Sequence, residues 1–281
     1  MREITVEQII AAVRQMCIDA SCDLPKDVEK AIVEAAEHEV SPFGQYSLQK
    51  IVKNIGIARE NIVPMCQDTG MAVVFAEVGQ EVHITGGLLS DAVNEGVRQG
   101  YTEGYLRKSM VKDPLLDRVN TGDNTPAILY TSLVAGDKLK LTIMPKGAGS
   151  ENMGGIKMLK PADGLAGVKK FVVDTVCQAG GNPCPPVIVG VGIGGSMDKA
   201  ALLSKVALQR EVQQPHTDAR YAQLEQELLE EINRLGIGPQ GLGGRVTALA
   251  VHIETYPTHI ATLPVAVTLN CHAARHKEAI L

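Results

Sequence analysis

The chain has 281 residues, a formal net charge of −5, 45% hydrophobic residues and 21% charged ones, an ordinary balance for a globular protein able to bury its own core. The mild acidity argues against nucleic acid as a partner, and no segment approaches the roughly 18 apolar residues of a membrane span. Six cysteines spread widely over the chain, with no export signal at an N-terminus that reads as an amphipathic helix, do not look like a disulfide framework. A cytoplasmic protein with free or ligating thiols is expected. Aromatics are few, with three Phe, six Tyr and no Trp, so the core must be aliphatic.

Residues 4–58 are helical in pattern. Val6, Ile9, Ile10 and Val13 recur at helical spacing, and Lys26–His38 and Ser47–Ala58 form two further amphipathic stretches. Met71–Val78 is β-branched and apolar and reads as a strand. Leu88–Lys108 reads as a helix, and Lys138–Met144 alternates polar and apolar like a half-buried strand. Gly167–Cys177 is expected as a helix, Val187–Val191 as a buried strand, and Met197–Leu208 and Tyr221–Leu235 as helices. Val246–Glu254 and His259–Leu269 close the chain as strands. Helices and strands mix without strict alternation, and no turn-rich linker or repeat divides them. The expectation is α+β, mixed sheets with a helical N-terminal layer, as a single large domain over residues 1–281.

Four segments look unlike scaffold: Pro64–Gly70 (PMCQDTG), Lys146–Asn152 (KGAGSEN), Gly180–Pro186 (GGNPCPP) and Asn270–His276 (NCHAARH). Each places polar or reactive groups on a loop at the end of an element, where sites are usually built. Cys17 and Cys177 read as small buried hydrophobes on helices, and Cys22 sits in a polar connector without an assigned role. Cys66, Cys184 and Cys271 each lie in such a loop, without the spacing of a zinc ribbon or ferredoxin. On local chemistry they are free thiols, a zinc site, or three ligands of an iron–sulfur cluster with one iron left open. The stretch GVGIGGS at 190–196 matches a dinucleotide loop at Gly190, Gly192 and Gly195. No acidic residue ends a following strand about 20 residues on, and the other reading is a tight strand-to-helix turn.

Taken in order, CQDTG at 66–70, NTGDNTPA at 120–127, KGAGSEN at 146–152, CPP at 184–186, GIGGSMDKA at 192–200 and NCHAARH at 270–276 resemble the class I, iron–sulfur-dependent fumarate hydratases. The alpha subunit of two-subunit forms is the nearer match, and the tartrate dehydratase alpha subunit is a close relative. The resemblance runs from about residue 5 to the end of the chain. It implies a [4Fe–4S] cluster held by Cys66, Cys184 and Cys271, with an oxygen-sensitive open iron that binds a small dicarboxylate. It implies Asp68 as proton donor paired with His259, which should lie in the strand before the last cysteine. Gln67, Gly147 and Gly149 would line the substrate pocket, and Arg107, on its helix, would clamp a substrate carboxylate. His272 stands where the family usually has a large residue such as Trp. The resemblance further implies reversible hydration of fumarate to malate, in a heterodimer or heterotetramer with a separate beta subunit that carries the carbon-side base. The rival activities are dehydration of tartrate and a non-enzymatic metal-binding scaffold.

Overall fold

A computed structural model describes residues 1–281. In chain order the elements are β1 (Arg2–Thr5), α1 (Val6–Cys22), α2 (Lys26–His38), α3 (Pro42–Asn61), β2 (Met71–Gly79), β3 (Val82–Thr85), α4 (Leu89–Glu103), β4 (Ile128–Val134) and β5 (Leu139–Lys146). There follow α5 (Ala148–Glu151), β6 (Gly155–Leu159), α6 (Gly164–Ala179), β7 (Val187–Gly194), α7 (Met197–Ala207), α8 (Ala219–Asn233), β8 (Ala248–Tyr256), β9 (Leu263–Asn270) and β10 (Lys277–Ile280). The class is α+β with mixed sheets. No helix is long and apolar enough to cross a membrane.

The 281 residues group into two compact units, each with its own core. The first comprises Met1–Pro25, Asn54–Ala148 and Arg275–Leu281, and the second Lys26–Lys53 and Gly149–Ala274. Each holds one four-stranded sheet.

In the first unit the strand order is β10-β5-β2-β4. β2 pairs antiparallel with β5 and parallel with β4, and β10 pairs antiparallel with β5. Val74, Ala76, Leu141 and Ile143 of this sheet pack with Ile9, Val13 and Cys17 of α1 and Val93, Val97 and Tyr101 of α4. Helix α1 is started by a capping box. Gln8 N donates to Thr5 Oγ1 and Thr5 N donates to Gln8 Oε1, satisfying two otherwise orphaned donors.

In the second unit the order is β6-β9-β7-β8, with the same succession of two antiparallel pairs and one parallel pair. Val187, Val189 and Val191 of β7 join the core formed with α6 and α8. The alternate residues Gly190 and Gly192 face α7 at backbone distance. A Cβ on Gly190 would lie 2.1 Å from the Ser204 carbonyl, and one on Gly192 would lie 2.0 Å from that of Ala200. Gly190 and Gly192 are therefore required by close helix–sheet packing, while the tight strand-to-helix turn expected here falls on Gly194 and Gly195, with φ of +95° and +68°. The loop after α2 is clasped by Glu39. Its buried carboxylate accepts the amides of Val40, Ser41, Arg245 and Val246 at 2.8–3.0 Å. Burial alone would raise this carboxyl; the backbone donors outweigh it and hold the group below the usual carboxylate range.

Three local expectations are corrected. Helix α4 stops at Glu103 rather than running to Lys108, because Gly104 caps it and Tyr105 adopts a positive φ of 53°. Arg107 is thus an exposed loop residue. Strand β9 begins at Leu263, and His259 lies before it in a turn in which Thr262 N donates to the His259 carbonyl at 2.9 Å. Cys177 is exposed on α6, since the helical period turns Val172, Thr175, Val176 and Ala179 inward instead. Cys17 is buried as expected, and burial pushes its thiol up to about 12. Cys22 is the buried last residue of α1.

Candidate functional site

In the first unit the loop from α3 to β2 carries Cys66, Gln67 and Asp68. Cys66 is a free, half-buried thiol, and Gln67 is exposed. Gly70 closes the turn with φ +74°, and a Cβ there would lie 2.7 Å from the Lys146 backbone. That conformation and that close approach both require glycine. It allows Met71 to pair directly with Lys146, which brings the residues after β5 beside the turn. Asp68 Oδ1 accepts the Gly70 amide at 3.0 Å and Oδ2 accepts the Ala148 amide at 2.8 Å. A Cβ on Gly147 would stand 3.3 Å from the same Oδ2.

Buried polar groups fasten this turn from behind. The Tyr101 hydroxyl donates to the carbonyls of Thr69 (2.8 Å) and Gly70 (3.0 Å). Asn124 Nδ2 donates to the Gly70 carbonyl at 3.1 Å while its Oδ1 accepts the Ser109 amide at 2.7 Å. Thr69 Oγ1 donates to the Arg107 carbonyl at 3.1 Å, which fixes the Arg107 loop beside the turn. Arg275 Nη2 donates to the Asp68 carbonyl. Asp68, Gly147 and the backbone of Arg107 are therefore brought together within this unit.

In the second unit the antiparallel register of β7 and β9 sets Ile188 opposite Asn270. The loop entering β7 and the loop leaving β9, which carry Cys184 and Cys271, thus share one end of the sheet. The His272 amide donates to the Cys184 carbonyl at 3.3 Å, and His272 Nδ1 lies 3.0 Å from the same oxygen. Gln240 ties the corner, donating to the Pro185 carbonyl at 2.8 Å and meeting His272 Nδ1 at 3.1 Å. Cys184 is exposed and holds a left-handed φ of 55°, unusual for a residue with a side chain. Gly149 belongs to the same end, since a Cβ on it would lie 3.4 Å from the Asn182 carbonyl. His259 does not. It precedes β9 where Cys271 follows it, and eight strand residues separate the two by about 25 Å. Its Nδ1 accepts the Ala261 amide at 3.1 Å.

No group of three or more His, Cys, Asp or Glu side chains is placed to hold a single metal ion. The three loop cysteines, Cys66 in the first unit and Cys184 and Cys271 in the second, lie outside the buried core, and thiolate is the soft ligand that iron–sulfur chemistry takes. The buried Arg275, with Nε and Nη1 unbonded beside the Cys66–Asp68 turn, also fits an anionic guest.

The fumarate hydratase (Fumerase) family model matches residues 10–280. The chain belongs to that family. A Methanocaldococcus jannaschii protein described as "Putative L(+)-tartrate dehydratase subunit alpha" is 43% identical over 261 residues, 92% of each chain. The L(+)-tartrate dehydratase subunit alpha of Escherichia coli K12 is 36% identical over 259 residues, 91% of this chain and 84% of its own. That of Shigella sonnei matches to the same extent.

Family membership makes this a hydro-lyase chain. Three residues that fasten the turn, Tyr101, Asn124 and Arg275, were not picked out as site residues from sequence. Asn124 and Arg275 do fall inside quoted motifs, NTGDNTPA and NCHAARH. Tyr101 sits on the apolar stripe of α4, where nothing distinguishes it from core.

Proposed function

We propose that this chain is the cluster-binding alpha subunit of a [4Fe–4S] hydro-lyase that interconverts fumarate and malate, active in a heteromer with a separate beta subunit. What supports the reading is the family match over residues 10–280 together with three loop cysteines outside the buried core, Cys66, Cys184 and Cys271. These three would be the ligands. A cluster so held leaves one iron without a protein ligand, a Lewis acid for the substrate hydroxyl. Asp68 delivers the proton to the departing hydroxyl oxygen from its carboxylic-acid form and is left as the carboxylate, with its side chain oriented by the Gly70 and Ala148 amides. Arg107 clamps one substrate carboxylate, as a planar guanidinium does best in bidentate fashion. Gln67, Gly147 and Gly149 line the pocket. The pairing of His259 with Asp68 rests on the resemblance alone. The carbon-side base comes from the beta subunit, so the chain by itself is inactive. An open iron reacts with oxygen, so activity is lost in air, and the reading suits a cytoplasmic location.

The test is anaerobic reconstitution of the full chain with iron and sulfide, with and without its beta subunit, followed by EPR on adding malate. A cluster signal that changes with malate, and turnover only when the beta subunit is present, is the expected result. Zinc in place of iron, or a full enzymatic rate from the chain alone, would overturn it.

A second reading, L(+)-tartrate as substrate, is favoured by the descriptions of the relatives at 43% and 36% identity. The same preparation offered L(+)-tartrate and malate in parallel decides between the two by the ratio of kcat/KM.

A further inference from the structure

Arg275 is 2% exposed. It is the residue through which the chain re-enters the first unit, four positions after Cys271. Of its nitrogens, Nη2 donates to the Asp68 carbonyl, while Nε and Nη1 are buried and find no hydrogen-bond partner. A guanidinium stays protonated at any ordinary pH, so this is a permanent buried cation with one neutral acceptor. Such an arrangement is strongly unfavourable unless an opposite charge accompanies it.

No carboxylate of the first unit forms an ion pair with Arg275. Asp23 is matched by Arg59 at 2.6 Å and Lys277 at 2.8 Å. Asp19 takes the Gln15 amide at 2.8 Å. The Asp68 carboxylate is turned to the Gly70 and Ala148 amides. Cys22 and Tyr101 both feel the Arg275 charge, but burial pushes each of them up, so both stay neutral. The cation has been built into the back of the Cys66–Asp68 turn with two of its nitrogens unbonded and no carboxylate paired to it.

We propose that Arg275 is the positioning and charge-matching residue of the cysteine site, holding the Cys66–Asp68 turn by the Asp68 carbonyl and supplying the fixed positive charge that balances an iron–sulfur–thiolate group at Cys66. The inference rests on the iron–sulfur reading above. The opposite charge arrives with ligation: each cysteine releases its thiol proton to solvent as its sulfur binds iron, and the assembly becomes anionic. Arg275 thus opposes folding of the empty chain and favours the loaded one.

That reversal of sign is the test. Full-length wild type, Arg275→Met and Arg275→Lys are compared without the cluster and after anaerobic reconstitution. The readouts are the melting temperature, iron release to a chelator and the cluster midpoint potential. Empty Arg275→Met is expected to melt at or above the wild-type temperature, because the unmatched cation is gone. Loaded Arg275→Met is expected to release iron ~10–100-fold faster, in the range typical for an outer partner of a metal site. Its midpoint potential should fall, because a positive charge that favoured the reduced cluster has been removed. Arg275→Lys, keeping the charge and losing the fork, should hold the potential near wild type. An empty Arg275→Met that melts lower than wild type would reduce the residue to a structural pin and overturn the proposal. So would iron release unchanged in Arg275→Met, or a potential in Arg275→Lys as low as in Arg275→Met. If wild type itself takes up no iron and sulfide, the iron–sulfur reading fails instead, and the two failures are told apart by that control.

Discussion

Asp68 Oδ2 accepts the Ala148 amide at 2.8 Å across 80 residues of sequence, so the carboxylate proposed as proton donor is aimed by the backbone that follows β5. An asparagine fits the same space and keeps an oxygen for that amide, but has no proton of the right acidity to give. Asp68→Asn is expected to lower kcat by ~10²–10⁴. Iron content and the malate-induced EPR change should persist. Loss of the cluster in this variant would move Asp68 from chemistry to scaffolding.

Substituting any of Cys66, Cys184 or Cys271 by Ala should abolish cluster uptake, a larger effect than the ~10–100-fold that an outer partner contributes. Cys184 offers a second readout, because its φ of 55° is costly for any residue with a Cβ. Cys184→Gly and Cys184→Ala should bind iron equally badly. The glycine variant should nonetheless be the more stable empty chain by about 1 kcal/mol, measured by urea unfolding.

Gly190 and Gly192 leave no room for a methyl group, with α7 carbonyls at 2.1 and 2.0 Å from the added Cβ. Gly192→Ala must push α7 off β7 and is expected to destabilise by ~1–3 kcal/mol or more. Gly56, within α3, meets nothing within 4 Å. There the same change should stabilise by ~0.5–1 kcal/mol. Equal denaturation midpoints for the two variants would contradict the packing described.

The Glu39 clasp predicts a pH dependence. Its folded carboxyl titrates below the usual range, ordinarily about 4.3, because backbone amides hold the anion against the cost of burial. A depressed folded value adds stability above the unfolded value, and that stability is lost as the pH falls through the folded one. Glu39→Gln should therefore cost ~1–3 kcal/mol at pH 7. Its stability should converge with that of wild type as the pH drops below about 4. A gap between the two that is constant from pH 7 to pH 3 would rule the clasp out.

Much of the scaffold was legible because its periodicity is strong. The strands at 71–78 and 138–144 and the helices at 26–38 and 197–208 occur within a few residues of where alternation and helical spacing put them. The short pairings β1 with β3 and β6 with β9 were not visible, since four or five residues carry too little pattern to reveal a partner far away. The end of α4 was missed because it depends on a cap at Gly104 and a positive φ at Tyr105, not on hydropathy. The loop cysteines announced themselves by chemistry and company, whereas Cys177 was misjudged because one position on a helix decides which way a thiol faces. Arg275 was the least legible residue. In sequence it is one basic residue in NCHAARH, and only its burial and missing partners give it meaning.

The edge strand β10 completes the sheet of the first unit by pairing with β5, Lys277 opposite Ile143 and Ile280 opposite Lys140. The segment that carries it follows every residue of the second unit in the order of synthesis. On the ribosome, then, α1, β2 and β5 must wait, with one sheet edge unpaired, while the whole of the second unit is made. An amino-terminal fragment stopping anywhere before residue 277 would leave that edge open to other chains, so fragments of this protein are expected to aggregate where the intact chain does not.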